Sequence, residues 1–272
     1  MPRQTIQPEY IQRLRDSVRG EVIAARDAGY DEARRLWNGL HDKRPGVMVR
    51  PVGVEDVATA LRLGREWDVE IALRSGAHSP TGYSSTDGGL VIDMAGMRGV
   101  SVDPALRTAR ANGGALLGEL DIAAQAHGLV CPVGVIGHTG VAGLTLGGGV
   151  GRLQRQYGLT IDSLRAVELV TADGRFVRSS ATDEPDLFWG IRGAGFNFGV
   201  VTAFEFDLQP FGGVLHRGTR IYQAADAQAV WANLRDSAPT LAPALTCILA
   251  IGRADPADEY PEAIAGQPIV VV

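Results

Sequence analysis

The sequence predicts a fold that combines helices and strands, and three patterns support this prediction. Through residues 47–74, apolar positions follow first a strand, then a helix, then a second strand. Residues 165–178 form a predicted hairpin around Asp173-Gly174, a dipeptide typical of tight hairpin turns. Residues 200–208 alternate between apolar and polar positions, as a half-buried strand does.

Length and composition limit the size and the partners of the protein. A chain of 272 residues is long enough for one large domain or two smaller ones with a sizeable core. The formal net charge of −5 provides no broad basic face, so nucleic acid is not an expected partner. Because no run of about 18 apolar residues is present, no membrane-spanning helix is expected.

The N-terminus and the cysteine content predict a cytoplasmic location. Residues 1–22 are polar and charged, and they lack the apolar centre of a signal peptide. Cys131 and Cys247 are the only cysteines in the sequence, so a framework of disulfides is not expected.

Residues 1–40 are predicted to form an N-terminal helical segment. Four apolar residues recur there at helical spacing: Ile11, Leu14, Val18 and Val22. Residues 31–37 form a further short helix in this prediction, ended by Asn38-Gly39. We expect the segment to pack against the main body of the protein rather than to carry a site.

Residues 41–211 are predicted to form the main domain. Its expected elements are strands at 47–52, 69–74, 90–93 and 100–102, and helices at 54–67 and 115–126. Gly128 is expected to end the second of these helices. A turn of small residues, 74–79, leaves the strand at 69–74, and α/β proteins place ligands beyond such strand ends.

Residues 212–272 are predicted to begin a second domain, after a helical turn and a glycine cluster at 186–199. Its expected elements are a strand at 214–222, a helix at 224–236, a strand at 246–251 and an apolar run at 268–272. An apolar strand followed by no turn or polar tail would leave an unpaired edge. We therefore interpret this domain as incomplete.

The stretch 137–151, GHTGVAGLTLGGGVG, is the most unusual part of the sequence because seven of its fifteen residues are glycine. Glycine lets the backbone adopt positive φ angles and approach another surface closely. Successive N–H groups can then point into one concavity that suits an anion such as a pyrophosphate. On spacing alone, a buried packing turn made of small residues is an equally good interpretation.

His78 is the second candidate, because it lies in a glycine-containing turn directly after a predicted strand. Ser75 and Ser79 flank it with hydroxyl groups. Taken alone, this pattern also fits an ordinary hydrogen-bonded histidine in a loop.

Several common site motifs are missing from the sequence. It contains no P-loop, no dinucleotide fingerprint of the form G-x-G-x-x-G and no G-x-S-x-G nucleophile elbow. The five histidines show no spacing typical of metal ligands, so no metal site is predicted.

A set of motifs in sequence order, from about residue 44 to Pro210, carries a family resemblance. The motifs are Arg74-Ser75-Gly76-Ala77-His78, residues 137–151, Tyr157-Gly158-Leu159, Asp162, Asp186-Leu187-Phe188-Trp189, Arg192-Gly193 and Asn197-Phe198-Gly199-Val200-Val201. With these motifs the chain resembles the FAD-linked oxidases of the berberine bridge enzyme-like group, in the p-cresol methylhydroxylase/vanillyl-alcohol oxidase superfamily.

The resemblance implies an α+β fold and FAD as the cofactor. An FAD-binding domain of the p-cresol methylhydroxylase type would hold FAD between two subdomains, followed by the start of an α+β substrate domain. Backbone N–H groups of residues 74–79 and 147–149 would contact the pyrophosphate, and residues 137–143 would line the isoalloxazine. Gly199 and Val200 would lie at the adenine. The residues assigned to cofactor binding in this way are Arg74, Ser75, Gly76, Ala77, His78, Ser79, Gly134, Gly137, His138, Thr139, Gly140, Gly143, Gly147, Gly148, Gly149, Gly151, Gly199 and Val200.

The resemblance also implies that His78 is bonded covalently to the 8α-methyl group of the flavin. Some family members add a second bond from a cysteine to flavin C6. Cys131 lies in a similar stretch, although one residue is missing before Val133-Gly134. The alternative for Cys131 is a small buried residue, and both interpretations stay open.

The function implied by the resemblance is that of an oxidase. Hydride would pass from a C–OH or C–NH group of a small-molecule substrate to the flavin, and O2 would reoxidise the flavin. In the family the catalytic base comes from a region beyond the one matched here, so no catalytic residue is assigned. Two alternatives are a non-catalytic or truncated flavin-binding fragment and an FAD/NADPH-type reductase of the same superfamily, which would not need His78 as a tether.

Overall fold

The computed structural model describes residues 6–255 and 260–272. It divides into two compact units, of which the first ends at Gly212 and the second begins at Gly213. In the part of the chain that the structure describes, no helix is both long and apolar enough to cross a bilayer.

The first unit contains both helices and strands. Its helices are α1 (Pro8–Ser17), α2 (Tyr30–Ala33), α3 (Val54–Glu66), α4 (Leu117–Gln125), α5 (Val141–Leu146), α6 (Gln154–Tyr157) and α7 (Pro185–Ala194). Its strands are β1 (Glu21–Ala24), β2 (Val47–Arg50), β3 (Ile71–Arg74), β4 (Leu90–Asp93), β5 (Val100–Asp103), β6 (Thr108–Asn112), β7 (Leu129–Val130), β8 (Leu164–Val170), β9 (Phe176–Ser180), β10 (Val200–Asp207) and β11 (Gln209–Pro210).

A four-stranded sheet in the order β1-β2-β4-β3 forms the first layer of this unit. Strands β2, β4 and β3 pair in parallel, and β1 adds to β2 in the antiparallel direction. Val47 and Val49 of β2 are fully buried in a core cluster that includes Val57 and Leu63 of α3. The continuous apolar sequence of β2 is typical of a strand covered on both faces.

One buried carboxylate fixes the start of α3 against the loop between α1 and β1. The side chain of Asp56 accepts hydrogen bonds from the backbone N–H groups of Arg19 (2.9 Å), Gly20 (3.0 Å) and Val52 (3.0 Å). Three N–H donors compensate the cost of burying this carboxylate.

An antiparallel sheet of five strands, in the order β5-β6-β10-β8-β9, forms the second layer. Phe204 and Phe206 of its central strand are fully buried. Leu117 of α4, Val141 of α5 and Ile191 of α7 belong to the same core cluster. The glycine-rich stretch thus enters this core through α5.

The second unit contains a three-stranded antiparallel sheet and one longer helix. Its elements are β12 (Ile221–Gln223), α8 (Ala227–Ser237), β13 (Ala250–Arg253) and β14 (Pro268–Val271). The strand order is β12-β14-β13, so β14 is central. The expected unpaired edge at residues 268–272 is therefore wrong, because β14 is paired on both sides and buries Ile269 and Val270.

The structure confirms the main predicted elements of the first unit and corrects several others. The hairpin is present as β8 and β9, and Gly174 in its turn has a φ of +84°. Val22 lies in β1 rather than in a helix, because residues 21–24 pair with β2. The sequence does not predict strand β6, since its alanines and polar residues have low strand propensity.

In the second unit two predicted strands are wrong in extent. Strand β12 begins at Ile221 rather than at residue 214, and β13 covers residues 250–253 rather than 246–251. The extent of each strand is set by its pairing with β14, because only the residues that pair with β14 are strand.

We expect Phe204→Ala to lower the free energy of unfolding by about 3–5 kcal/mol, because the substitution leaves a cavity at a fully buried position of the core. Phe176→Ala is the matched control in the same sheet. Its side chain is 53% exposed, so we expect a change within about 0.5 kcal/mol. Denaturant unfolding followed by circular dichroism measures both, and equal effects would contradict this view of the core.

Candidate functional site

The turn after β3 and the glycine-rich stretch meet backbone to backbone. A Cβ added at Gly76 would lie 2.2 Å from the backbone nitrogen of Gly140, and one added at Gly140 would lie 2.4 Å from Ser75 Oγ. Ser75 Oγ donates a hydrogen bond to the carbonyl oxygen of Gly113 (3.0 Å). These contacts define the site as the turn at 74–79 and the facing residues 137–143.

Arg74, the last residue of β3, holds the start of the turn in place through its side chain. Its guanidinium is buried and donates to Asp93 Oδ2 (2.9 Å), and a second nitrogen lies 3.5 Å from the carbonyl oxygen of Arg35. Asp93, fully buried, also accepts from Arg50 Nε (3.1 Å). Because the side chain of Arg74 is engaged in this ion pair, only the backbone of Arg74 is left to contact a ligand.

Ala77 has a left-handed backbone with a φ of 58°. Such a conformation costs a residue with a side chain about 1–3 kcal/mol and occurs often at functional sites. The carbonyl oxygen of Ala77 accepts a hydrogen bond from the backbone N–H of Trp37 (3.2 Å). The turn is therefore held from outside by the segment that contains Trp37.

His78 and His138 join the two halves of the site through their side chains. His78 Nε2 lies 2.6 Å from His138 Nδ1, and the ring centroids are 4.6 Å apart. One of these two nitrogens carries the proton and the other accepts it. Burial, followed by the neighbouring His138, lowers the pKa of His78 below its usual value, so the imidazole is neutral at pH 7.

Trp37 belongs to the site although the sequence patterns did not indicate it. Its ring stacks on the imidazole of His78 with centroids 5.0 Å apart and planes 20° apart. The sequence places it inside a short helix at 31–37 that is predicted only to pack, whereas α2 ends at Ala33. Neither periodicity nor a motif distinguishes it from other surface aromatic residues. A tertiary contact alone identifies it.

The glycine-rich stretch combines both interpretations that the sequence left open. Val141 and Leu146 of α5 are buried in the core, so part of the stretch packs. Gly143 faces outward, where an added Cβ would meet nothing within 4 Å. Gly137 is likewise exposed, and Thr139 is half-buried.

Packing explains several of the predicted glycines. An added Cβ would lie 2.6 Å from Leu144 Cδ1 at Gly134, 2.4 Å from Thr160 Oγ1 at Gly149 and 1.9 Å from the Val133 carbonyl oxygen at Gly151. Gly149 also has a φ of +81°. At Gly149 and Gly151 the fold requires glycine without any ligand, whereas the atom nearest to Gly134 is the end of a flexible leucine side chain.

Gly147 and Gly148 are less constrained by their neighbours. An added Cβ at Gly147 would be in ordinary contact, 3.5 Å from Phe196 Cζ, and Gly147 is exposed. Gly148 has a φ of +107° and is buried. Their location after α5 leaves Gly147 accessible to a ligand.

Gly199 and Val200 lie at the start of β10. Gly199 has a φ of +144°, and a Cβ there would lie 2.3 Å from the Val170 carbonyl oxygen. Val200 is buried beside Val170 in the core of the first sheet. Of the two, Gly199 is the one with partial exposure.

Cys131 lies in the core rather than at the surface of the site. Its side chain is 1% exposed and packs within the main hydrophobic cluster. Burial raises the pKa of the Cys131 thiol well above its usual value, with a smaller contribution from Asp121. A protonated, enclosed thiol is a poor nucleophile, which favours the buried-residue alternative.

The residues present fit a large, flat and partly anionic group. Apolar side chains are exposed around the open glycines, namely Val135, Ile136, Val150 and Phe196. Exposed apolar patches of this kind mark binding surfaces. Beside them, the turn and the glycines provide close backbone approach, which a phosphate-containing aromatic cofactor needs.

Comparison with known proteins gives matches over most of the first unit. Residues 45–180 match a family model described as an FAD binding domain. The chain is 42% identical over 192 residues to (R)-6-hydroxynicotine oxidase of Paenarthrobacter nicotinovorans, covering 71% of this chain and 42% of that protein. It is 38% identical over 213 residues to an FAD-linked oxidoreductase of Aspergillus terreus, and this match covers 77% of this chain and 43% of that protein.

Solved structures agree with the sequence matches. The crystal structure of 6-hydroxy-D-nicotine oxidase from Arthrobacter nicotinovorans superposes with a TM-score of 0.85 at 34% identity, covering 94% of this chain and 55% of that one. BBE-like 1 of Physcomitrella patens superposes with a TM-score of 0.71 at 34% identity, and the match covers 74% of this chain and 44% of that one. The chain thus spans about half the length of these relatives.

We expect Gly76→Ala to lower the free energy of unfolding by about 1–3 kcal/mol, because the new methyl group would overlap the backbone of Gly140. Gly143→Ala adds the same methyl group where no atom lies within 4 Å, inside a helix. It should leave stability unchanged or raise it by up to about 1 kcal/mol. Denaturant unfolding compares the pair, and a stable Gly76→Ala variant would contradict the close contact.

Proposed function

We propose a function from one premise: the chain belongs to the FAD-linked oxidases of the berberine bridge enzyme-like group, whose FAD binding domain matches residues 45–180. Its fold is α+β and its cofactor is FAD. The whole protein would oxidise a C–OH or C–NH group of a small molecule and pass the electrons to O2. The single observation that carries this proposal is the contact between the His78 turn and the glycine-rich stretch.

The chain's own residues would bind and orient the cofactor. When bound, FAD supplies the hydride acceptor and the reaction with O2. The backbone N–H groups of residues 75–79 would face the pyrophosphate, since the Arg74 side chain is turned towards Asp93. Gly137 and Gly143 would allow the flat ring to approach the backbone, and Val135 with Ile136 would exclude water from it.

His78 would tether the flavin through a covalent bond. Because Nε2 faces His138, Nδ1 is the nitrogen left for the flavin 8α-carbon. The Nδ1 lone pair would form the N–C bond, the Nε2 proton and one proton of the methyl group would leave together with two electrons, and O2 would take up these electrons and protons as H2O2. His138 would accept the Nε2 proton in a hydrogen bond, which leaves the lone pair on Nδ1.

We expect the chain to keep its flavin after denaturation and His78→Ala to lose it, because the variant lacks the only atom proposed to form the bond. His127→Ala is the matched control, since His127 is an exposed histidine after α4. Each protein is expressed, precipitated with acid and measured for flavin absorbance in the pellet and for a mass increase of one FAD. A colourless wild-type pellet would contradict covalent attachment.

We expect Gly143→Ala to bind FAD about ten-fold more weakly or worse, because overfilling a close contact by one methyl group costs about 1–3 kcal/mol. Titration is made in a His78→Ala background, where binding is reversible, and flavin fluorescence reports it. Gly212→Ala adds a methyl group elsewhere with nothing within 4 Å and should bind FAD normally. Unchanged affinity in Gly143→Ala would place the ring elsewhere.

A further inference from the structure

Trp37 is a large aromatic residue with an unusual position. Its side chain is 66% exposed, so it contributes little to the core. It nevertheless makes a stacked contact with the imidazole of His78, at 5.0 Å between centroids. Stacking restricts the orientation of both rings, so this exposed residue makes one specific contact, with the His78 imidazole.

The segment 37–43 also makes hydrogen bonds to the turn and to residues 80–85, which follow it. The Trp37 N–H donates to the carbonyl oxygen of Ala77 (3.2 Å), and Asn38 Nδ2 donates to that of Pro80 (3.0 Å). Lys43 Nζ donates to the carbonyl oxygens of Gly82 (2.9 Å) and Ser85 (3.0 Å). His41 Nε2 also lies 2.8 Å from the Pro80 carbonyl oxygen.

The two neighbours of His78 restrict different motions of its ring. The hydrogen bond to His138 fixes the position of Nε2 but leaves the ring free to tilt about that bond. The Trp37 indole, with its plane 20° from the imidazole plane, opposes that tilt. A half-turn of the ring about the Cβ–Cγ bond would place Cε1 where Nε2 lies and break the hydrogen bond to His138, so the two contacts together fix the plane of the ring and the edge that faces His138.

We propose that Trp37 is a positioning residue for His78: it holds the imidazole ring so that Nε2 faces His138 and Nδ1 is presented for bond formation. This inference rests on the proposed covalent attachment. It adds to that function a residue that touches neither the substrate nor the bond. Reactions between held groups lose rate steeply when one of them is misplaced.

We expect Trp37→Ala to attach FAD covalently about ten-fold more slowly than the wild type while binding it reversibly with similar affinity. Trp37→Phe should restore most of the rate, because a phenyl ring can stack in the same place. Trp231→Ala removes another exposed tryptophan, in the second unit, and should have no effect. Each chain is prepared without riboflavin and mixed with FAD, and flavin fluorescence of the denatured polypeptide is followed with time.

Nuclear magnetic resonance of 15N-labelled histidine in the same flavin-free chains provides a readout independent of attachment. The wild type should show neutral His78 as one tautomer protonated at Nε2, and Trp37→Ala should show a mixture of both. If the wild type attaches no flavin, the proposed function fails while the tautomer measurement still tests Trp37. Wild-type attachment rates together with a single tautomer in Trp37→Ala would overturn the positioning role.

Discussion

The close approach of two backbones, at Gly76 and Gly140, is the constraint on which the rest of the site depends. At 2.2 Å from the Gly140 nitrogen there is no room for any side chain at position 76. This contact brings the end of β3, a parallel strand of the first sheet, against a stretch that is anchored in a separate core by Val141. Two histidines distant in sequence become neighbours because of it.

A buried ion pair keeps the sheet side of this contact in place. Asp93 ends β4 and Arg74 ends β3, so their pairing ties together the strands from which the turn begins. Breaking such a pair by removing one charge is costly, since it leaves the other uncompensated in the interior. Arg50, on the next strand, shares the same carboxylate and spreads its charge over three strands. The turn that contains the left-handed Ala77 thus starts from strand ends that are held in place by these ion pairs.

How far the sequence predicts this protein depends on the range of the interactions. The hairpin of β8 and β9 is encoded locally by Asp173-Gly174, and its register follows from that turn. Strand β1 is not predicted from the sequence, because it forms by pairing with β2 more than twenty residues away and its apolar residues continue a helical spacing. Glycine content indicated a close approach, but only tertiary packing separates Gly149, required by Thr160, from the open Gly143. Trp37 carries no local signal at all.

The order of strands in the second unit has a consequence for how that unit is assembled during synthesis. Strands β12 and β13 each pair with β14 and, within the described residues, not with each other. Because synthesis proceeds from the N-terminus, β12 and β13 are made before residues 268–271, the strand with which both of them pair. Until β14 is available, the backbone groups of these two strands lack their partner in this sheet, and unpaired strand edges favour association with other chains.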